Sequence, residues 1–276
     1  MDILSCKPKL LILDKNSEKK VGNELWIFPP SLNGEKFILN SNANCIYELC
    51  KDNNTIGDIL TVFSHRFPSI SKEILLKDIL KTLKQFWEYQ LVSWKDINPF
   101  YDDYTVYNHS NPKIYIEKLV FDNFNKFFDT KLPHLHTSPY IKDEVINAQA
   151  VVEKQILEGS LVGFILYDNN EIKIKLLLRF DACNNIADIL MISFGKHDDL
   201  INNSSWFFSE IGRFVASLWK INSEIITFIL PIIKETSLID NTTVSNMGFS
   251  YAGNLVNECD SGDISIFNKL LAVRCQ

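Results

Sequence analysis

Histidines are the side chains of this chain best suited to proton transfer or metal binding, and there are five of them. His134 and His136 stand one residue apart, a spacing that can begin a metal site, but no cysteine or acidic pair has matching spacing. We therefore expect a loop pair without metal. His197 is a candidate general base because imidazole titrates near neutral pH, and the simpler interpretation is a histidine in a surface loop.

The six cysteines are scattered, without the paired spacing of a zinc knuckle or a redox motif. The chain does not open with a basic start and a long apolar run, and no apolar segment approaches the roughly 18 residues of a membrane-spanning helix. These observations predict a cytoplasmic protein with reduced thiols, no metal and no membrane partner.

Length and charge limit the class of protein. The 276 residues favour two modest domains, and 46% hydrophobic content is ample for packed cores. The net charge is −6; residues 1–92 hold 12 Lys and Arg against 11 Asp and Glu, so the remainder carries −7. A nucleic-acid partner is not expected, because phosphate contacts need clustered Lys and Arg.

Short apolar runs predict strands near the start of the chain, over residues 9–14, 24–28 and 36–39. Pro29 and Pro30 end the second run, since proline cannot donate a ladder hydrogen bond. Asn33 and Gly34 supply the positive-φ residues of a hairpin turn before the third strand.

Three helices are predicted next. Ser41 can cap the first, Thr55 and Asp58 form a capping box for the second, and residues 72–89 carry an apolar stripe at helical spacing. The order predicts a winged-helix-like domain, a β-hairpin plus three helices, over residues 1–92. A DNA-reading winged helix is the rival interpretation, but this domain is almost neutral and Arg66 is its only arginine.

These elements and residues resemble the PqqD-like peptide-recognition domain, also called a RiPP recognition element. The stretches that carry the resemblance are Glu24-Leu-Trp-Ile-Phe-Pro-Pro, Asn33-Gly34, Lys36-Phe-Ile-Leu-Asn, Ser41-Asn-Ala-Asn-Cys-Ile-Tyr-Glu-Leu and Thr55-Ile-Gly-Asp-Ile-Leu. The resemblance implies that the leader of a ribosomally made precursor peptide adds as a strand beside the third strand and packs on the third helix. The docking residues that it implies are Lys36, Phe37, Ile38, Leu39, Asp78, Lys81, Thr82 and Gln85.

Lys77, Lys81 and Lys84 lie on one face of the third predicted helix. A solvated lysine edge is the favoured interpretation, and attraction of acidic leader residues is the alternative. Residues 93–112 follow, with too many aromatic residues for a flexible linker, and we expect an ordered connector there.

Residues 113–276 predict an α+β domain with a mostly antiparallel sheet. Strands are predicted over residues 113–119, 161–167, 172–180, 186–194, 225–230 and 263–273, and helices over residues 121–128, 143–157, 205–220 and 237–246. The order resembles the GNAT family of acyl-CoA-dependent N-acyltransferases. Ala187-Asp-Ile-Leu-Met-Ile-Ser resembles the family's cofactor-pairing strand, and Asn246-Met-Gly-Phe-Ser-Tyr its Gly-Phe turn.

The resemblance implies acyl-CoA as co-substrate, but the chain departs from the family in two places. It implies a cofactor site at Ile192, Ser193, Phe194, Asn202, Asn203, Ser204 and Ser205. Residues 195–205 lack the family's phosphate-loop glycines, and Asp198 and Asp199 would repel pyrophosphate.

The second departure is Val244, which stands where the family has its general-acid tyrosine, so Tyr251 is a candidate substitute. Asp188 stands where some members carry a glutamate base and is the first candidate base. An exposed or ion-paired strand residue is the alternative interpretation of Asp188.

Two functions therefore remain open. The leading hypothesis is a peptide-tailoring N-acyltransferase, in which leader binding raises the local concentration of a core amine that accepts an acyl group from acyl-CoA or a carrier thioester. The alternative is a non-catalytic peptide chaperone or scaffold with a degenerate GNAT-like domain, which delivers the precursor to another maturation enzyme. The missing glycines favour this alternative.

Overall fold

The computed structural model describes residues 2–11, 17–22, 24–28, 36–89, 91–95, 97–141, 146, 148–181, 183–218, 225–233, 239–259 and 262–272. The chain divides into two compact units, residues 1–103 and 104–276. The expected connector, residues 93–112, has residues in both units. The expected strand end at Pro29 and Pro30 and the expected turn at Asn33 and Gly34 lie outside the described residues.

The first unit contains two small antiparallel ladders. One joins β1 (Pro8–Leu10) to β5 (Val92–Trp94). The other is a three-stranded sheet in the order β2 (Glu18–Val21), β3 (Glu24–Ile27) and β4 (Phe37–Leu39). The strand predicted over residues 36–39 is therefore confirmed as β4.

Three helices follow β4: α1 (Ser41–Lys51), α2 (Ile56–Arg66) and α3 (Lys72–Glu88). The capping box of α2 is confirmed, with Thr55 and Asp58 bonding reciprocally. The cap predicted for α1 was one residue late: the side chain of Asn40, not Ser41, accepts two backbone N–H groups of the first turn.

The core of the first unit forms where the apolar stripes of these helices meet the inner face of the sheet. Each buried aliphatic or aromatic side chain contributes about 2 kcal/mol by leaving water. The large side chains buried there include Ile27, Leu39, Tyr47, Ile56, Phe86 and Trp87.

The second unit is built on one nine-stranded, mostly antiparallel sheet. Its strands are β6 (Thr105–Tyr107), β7 (Ile114–Lys118), β8 (His134–Thr137), β9 (Leu161–Asp168), β10 (Glu171–Asp181), β11 (Ile186–Phe194), β12 (Ile225–Ile233), β13 (Ser250–Cys259) and β14 (Gly262–Ala272). The order is β13-β14-β12-β11-β10-β9-β7-β6, and β8 pairs with β11.

The described residues of this unit include four α-helices beside the sheet: α4 (Phe124–Asp129), α5 (Gln149–Leu157), α6 (His197–Leu218) and α7 (Asn241–Asn246). The prediction that a helix begins at residue 205 was wrong, because α6 begins at His197. Asp198 and Asp199 lie in its first turn, where carboxylates favour a helix start. Among the described residues, no helix has the length and apolar character needed to cross a membrane.

The fold class of the chain is therefore α+β, as predicted. Within this sheet, β11 and β12 run parallel for only three residue pairs, from Ile186 opposite Thr227 to Asp188 opposite Ile229. Beyond Asp188 the two strands are no longer paired with each other, and β8 takes the place beside β11.

Candidate functional site

The outer edge of β4 is the first candidate site. On one side β4 pairs with β3, with Trp26 opposite Ile38 and Ile27 opposite Phe37. On its other side, none of the described strands pairs with it. An unpaired edge presents backbone N–H and C=O groups that can accept another extended segment.

A groove lies along this edge, with a volume of about 310 Å³. Its apolar surface comes from all three helices, including Ile46, Phe63, Ile79 and Phe86, all of which are buried. Ile38 lines the groove from β4 and is 46% exposed. A backbone edge and an apolar surface thus lie side by side.

Six of the eight docking residues implied by the sequence line this groove: Phe37, Ile38, Leu39, Asp78, Thr82 and Gln85. The other two do not line it. The Lys36 Nζ lies 3.4 Å from the ring centroid of Trp26, a cation–π contact, and Lys81 is exposed on α3.

The expected lysine face is not uniform. Lys84 Nζ forms an ion pair with Asp103 Oδ2 at 2.7 Å. Of the described residues that line the groove, the one with a charged side chain is Asp78, which is exposed. Lys77, Lys81 and Lys84 are not among those lining residues.

Sequence reasoning missed Asn42 of α1 and two residues between α2 and α3, Phe67 and Ile70, all of which line the groove. No local signal separates a residue that lines a groove from one that fills a core, because both fall on the apolar face of a helix.

The gap between β11 and β12 is the second candidate site, and the chain fills it with β8. Met191 to Phe194 of β11 pair with Thr137 to His134 of β8 in antiparallel register. The backbone N–H of Ser138 extends this ladder by donating to Leu190 O at 2.8 Å. The same four residues of β11 pair with β10 on the other side, so neither edge is unpaired.

His136 connects β8 to the other wall of the gap. Its Nε2 lies 2.9 Å from Pro231 O on β12, and the carbonyl can only accept, so Nε2 carries the hydrogen. His136 is 5% exposed. Burial lowers the pKa of His136 to about 4, so the imidazole is neutral at physiological pH.

The other two histidines considered as candidates from the sequence, His134 and His197, lie at the end of this gap. The His134 ring stacks on Phe194 with centroids 4.9 Å apart, and the His197 ring meets His134 edge-on at 4.8 Å. Within the described part of the chain, no three His, Cys, Asp or Glu side chains are grouped to hold a metal. His197 lies in the first turn of α6, not in a loop.

The three candidate catalytic residues are not brought together. Asp188 forms an ion pair with Arg179 across the β10–β11 ladder, at 2.9 Å. His197 lies beyond the other end of β11, and the last residue of that strand, Phe194, is six residues from Asp188, or about 20 Å at ~3.3 Å per residue. Tyr251 is on β13, three strands from Asp188, or about 14 Å. Tyr251 is exposed and contacts Phe267.

The residues expected to hold coenzyme A do not fit it in this structure. Ile192, Ser193 and Phe194 were expected to offer a backbone edge to the pantetheine arm, but β8 occupies that edge. Asn202, Asn203, Ser204 and Ser205 were expected at a helix start, but they lie inside α6, where backbone N–H groups bond within the helix. The carboxylate of Asp199 already accepts the Lys196 N–H at the true start.

Comparison with known proteins bears on the C-terminal part of the chain. Solved structures similar to it are GNAT acetyltransferases. A mutant of spermidine N-acetyltransferase from Vibrio cholerae is 12% identical and has a TM-score of 0.42, over 58% of this chain and 95% of that chain.

Two further structures show the same likeness. A GNAT-family acetyltransferase from Streptococcus pneumoniae is 13% identical, with a TM-score of 0.38 over 58% of this chain and 99% of that chain. A ribosomal-protein alpha-N-acetyltransferase in complex with coenzyme A is 9% identical, with a TM-score of 0.37 over 57% of this chain and 94% of that chain. The sequence matches no protein-family model and no curated protein.

Proposed function

We propose that this protein captures the leader segment of a ribosomally made precursor peptide by strand addition to β4. The observation that carries the proposal is the outer edge of β4, with which none of the described strands pairs, beside an apolar groove of about 310 Å³. An added strand gains backbone hydrogen bonds that do not depend on sequence, while alternate side chains enter the groove and supply specificity.

The groove lining indicates what such a segment contains. Large apolar side chains suit the surface formed by Ile46, Phe63, Ile79 and Phe86. Asp78 at the groove favours a basic side chain in the peptide over an acidic one. The captured segment is therefore extended, with alternate apolar residues and a Lys or Arg placed to reach Asp78.

The test uses a phage-displayed library of short random peptides, so that no precursor has to be known. Thr82 is half-buried and lines the groove, and Thr82→Trp fills it. Lys77→Trp puts the same side chain on an exposed position of α3 that is not among the groove-lining residues. We expect peptides selected on the wild type to bind Thr82→Trp at least about tenfold more weakly, a loss of about 1.4 kcal/mol.

We expect Lys77→Trp to keep the wild-type affinity. Fluorescence anisotropy of the selected peptides measures the affinity of each protein. Amide hydrogen exchange of residues 37–39 should slow when peptide is bound, because added backbone bonds protect the edge strand. Equal binding by all three proteins, or protection confined to another surface, contradicts the proposal.

N-acyl transfer to the captured peptide is the second candidate function. The observation in its favour is the separation of β11 from β12 after Asp188, in a sheet otherwise antiparallel at every described pairing. Because the residues expected to hold coenzyme A do not fit it here, this function requires β8 to leave the gap. The structure as it stands favours the scaffold version, in which the second unit serves delivery to a separate maturation enzyme.

A further inference from the structure

We infer that β8 is a built-in occupant of the gap between β11 and β12, and that it keeps the second unit from binding coenzyme A. This inference goes beyond peptide capture, which concerns only the first unit. The segment that closes the gap is residues 134–138, and the His136 side chain anchors this segment to β12.

The first support is the backbone pairing. An extended ligand with amide groups binds a strand by using its unpaired N–H and C=O groups. Over Met191 to Phe194, β11 pairs with β10 on one side and with β8 on the other. A ligand strand would have to displace four residues of β8 before it could form any ladder bond there.

The second support is the contact of β8 with the opposite wall. Pro231 has no N–H, so this position of β12 offers an acceptor and no donor. The His136 Nε2–H meets that acceptor at 2.9 Å. Removing β8 would leave the Pro231 carbonyl without this bond, a cost of about 1–3 kcal/mol if it stayed buried.

The third support comes from the far end of β8. The His134 ring stacks on Phe194, and His197 packs against both rings at 4.8 and 5.1 Å. These three rings tie the start of β8 to the end of β11 and the first turn of α6. The segment is thus held at its start, along its backbone and through a buried side chain.

The test cross-links β8 in place. Leu135 and Ser193 are directly opposite each other, and the Cα separation of such pairs, about 5 Å, suits a disulfide. Leu135→Cys with Ser193→Cys is made in a protein whose Cys183, Cys259 and Cys275 are serine. Leu135→Cys with Asp188→Cys is the matched control, because Asp188 lies five residues further along β11, about 16 Å.

We expect mild oxidation of the folded protein to cross-link the first pair and not the control pair. Coenzyme A and acetyl-CoA at millimolar concentration should then leave the Tm of the wild type and of the cross-linked protein unchanged. A ligand that bound the native state would raise the Tm by mass action.

Two results would overturn the inference. One is absence of the cross-link, which would mean that β8 does not pair with β11 in solution. The other is a rise in the wild-type Tm with either ligand, whether or not the cross-linked protein shows the same rise. Neither result touches the peptide proposal, since no residue of the groove is changed.

Discussion

Three buried ionisable side chains of the second unit share one arrangement: each donates to a backbone carbonyl. Lys175 Nζ donates to Phe127 O and Thr130 O near the end of α4, and Lys269 Nζ to Met247 O at the end of α7. Helix C-termini have unsatisfied carbonyls and favour cations. Burial lowers the pKa of Lys175 to about 8. Lys175 on β10 and Lys269 on β14 thus each cap the C-terminus of a helix.

His136 is the third member of this set, and it makes the second unit sensitive to acid. Its pKa is 6.5 in the unfolded chain and about 4 in the native protein. The unfolded state therefore binds the proton first as pH falls. The stabilisation that the neutral, buried His136 gives to the native state is complete above pH 6.5 and is lost as the pH falls from 6.5 to 4. The loss amounts to about 3 kcal/mol.

His136→Gln is the variant that isolates this contribution, because glutamine donates an amide N–H but does not titrate. We expect its unfolding free energy, from urea denaturation, to fall less than that of the wild type between pH 6.5 and 4. Carboxylates titrate in both proteins and cancel in the difference. Parallel pH profiles would show that His136 is not buried as a neutral side chain.

Packing between elements explains the glycine inside β9. A Cβ on Gly163 would lie 2.5 Å from Leu119 Cδ2 and 2.7 Å from Leu119 Cβ, and the Leu119 N–H donates to Gly163 O at 2.7 Å. Leu119 follows β7 directly and is fully buried. The chain leaving β7 thus crosses so close to β9 that no side chain fits at residue 163.

Gly163→Ala should therefore destabilise the second unit by about 1–3 kcal/mol through overpacking. Thermal unfolding measures the loss. Leu119→Ala opens the same space, so the double variant should lose less stability than the sum of the two single variants. If the stability losses of the two single variants simply add in the double variant, residues 163 and 119 are not in steric contact.

The chain divides into two units, and the described residues that line the groove proposed to bind peptide all belong to the first of them. All groove-lining residues lie between residues 37 and 86, inside the unit that ends at Asp103. About 100 residues with their own buried core is an ordinary size for an independent domain.

A fragment of residues 1–103 should therefore fold alone and bind the selected peptides with an affinity within about threefold of the full chain. Circular dichroism during heating reports cooperative unfolding, and anisotropy reports the affinity. The full-length protein carrying Thr82→Trp is the negative control. A fragment that folds but does not bind would place an essential part of the site beyond residue 103.

Local signals were sufficient for much of the first unit. The capping box of Thr55 and Asp58 and the stripe that buries Ile79, Leu83 and Phe86 involve residues three or four apart, so a short stretch of sequence contains the whole interaction. The resemblance to the peptide-recognition domain, not local periodicity, implied the eight docking residues, and six of them line one groove.

Long-range pairing was beyond those signals. The four residues of β8 carry no strand pattern, and they form a strand because β11, more than fifty positions later, offers an edge. The partner of Lys84, Asp103, is likewise brought close only by folding. Short-range patterns in the amino-acid order define helices, caps and faces, whereas strand partners and the filling of a gap depend on contacts between distant segments, which exist only once the chain is folded.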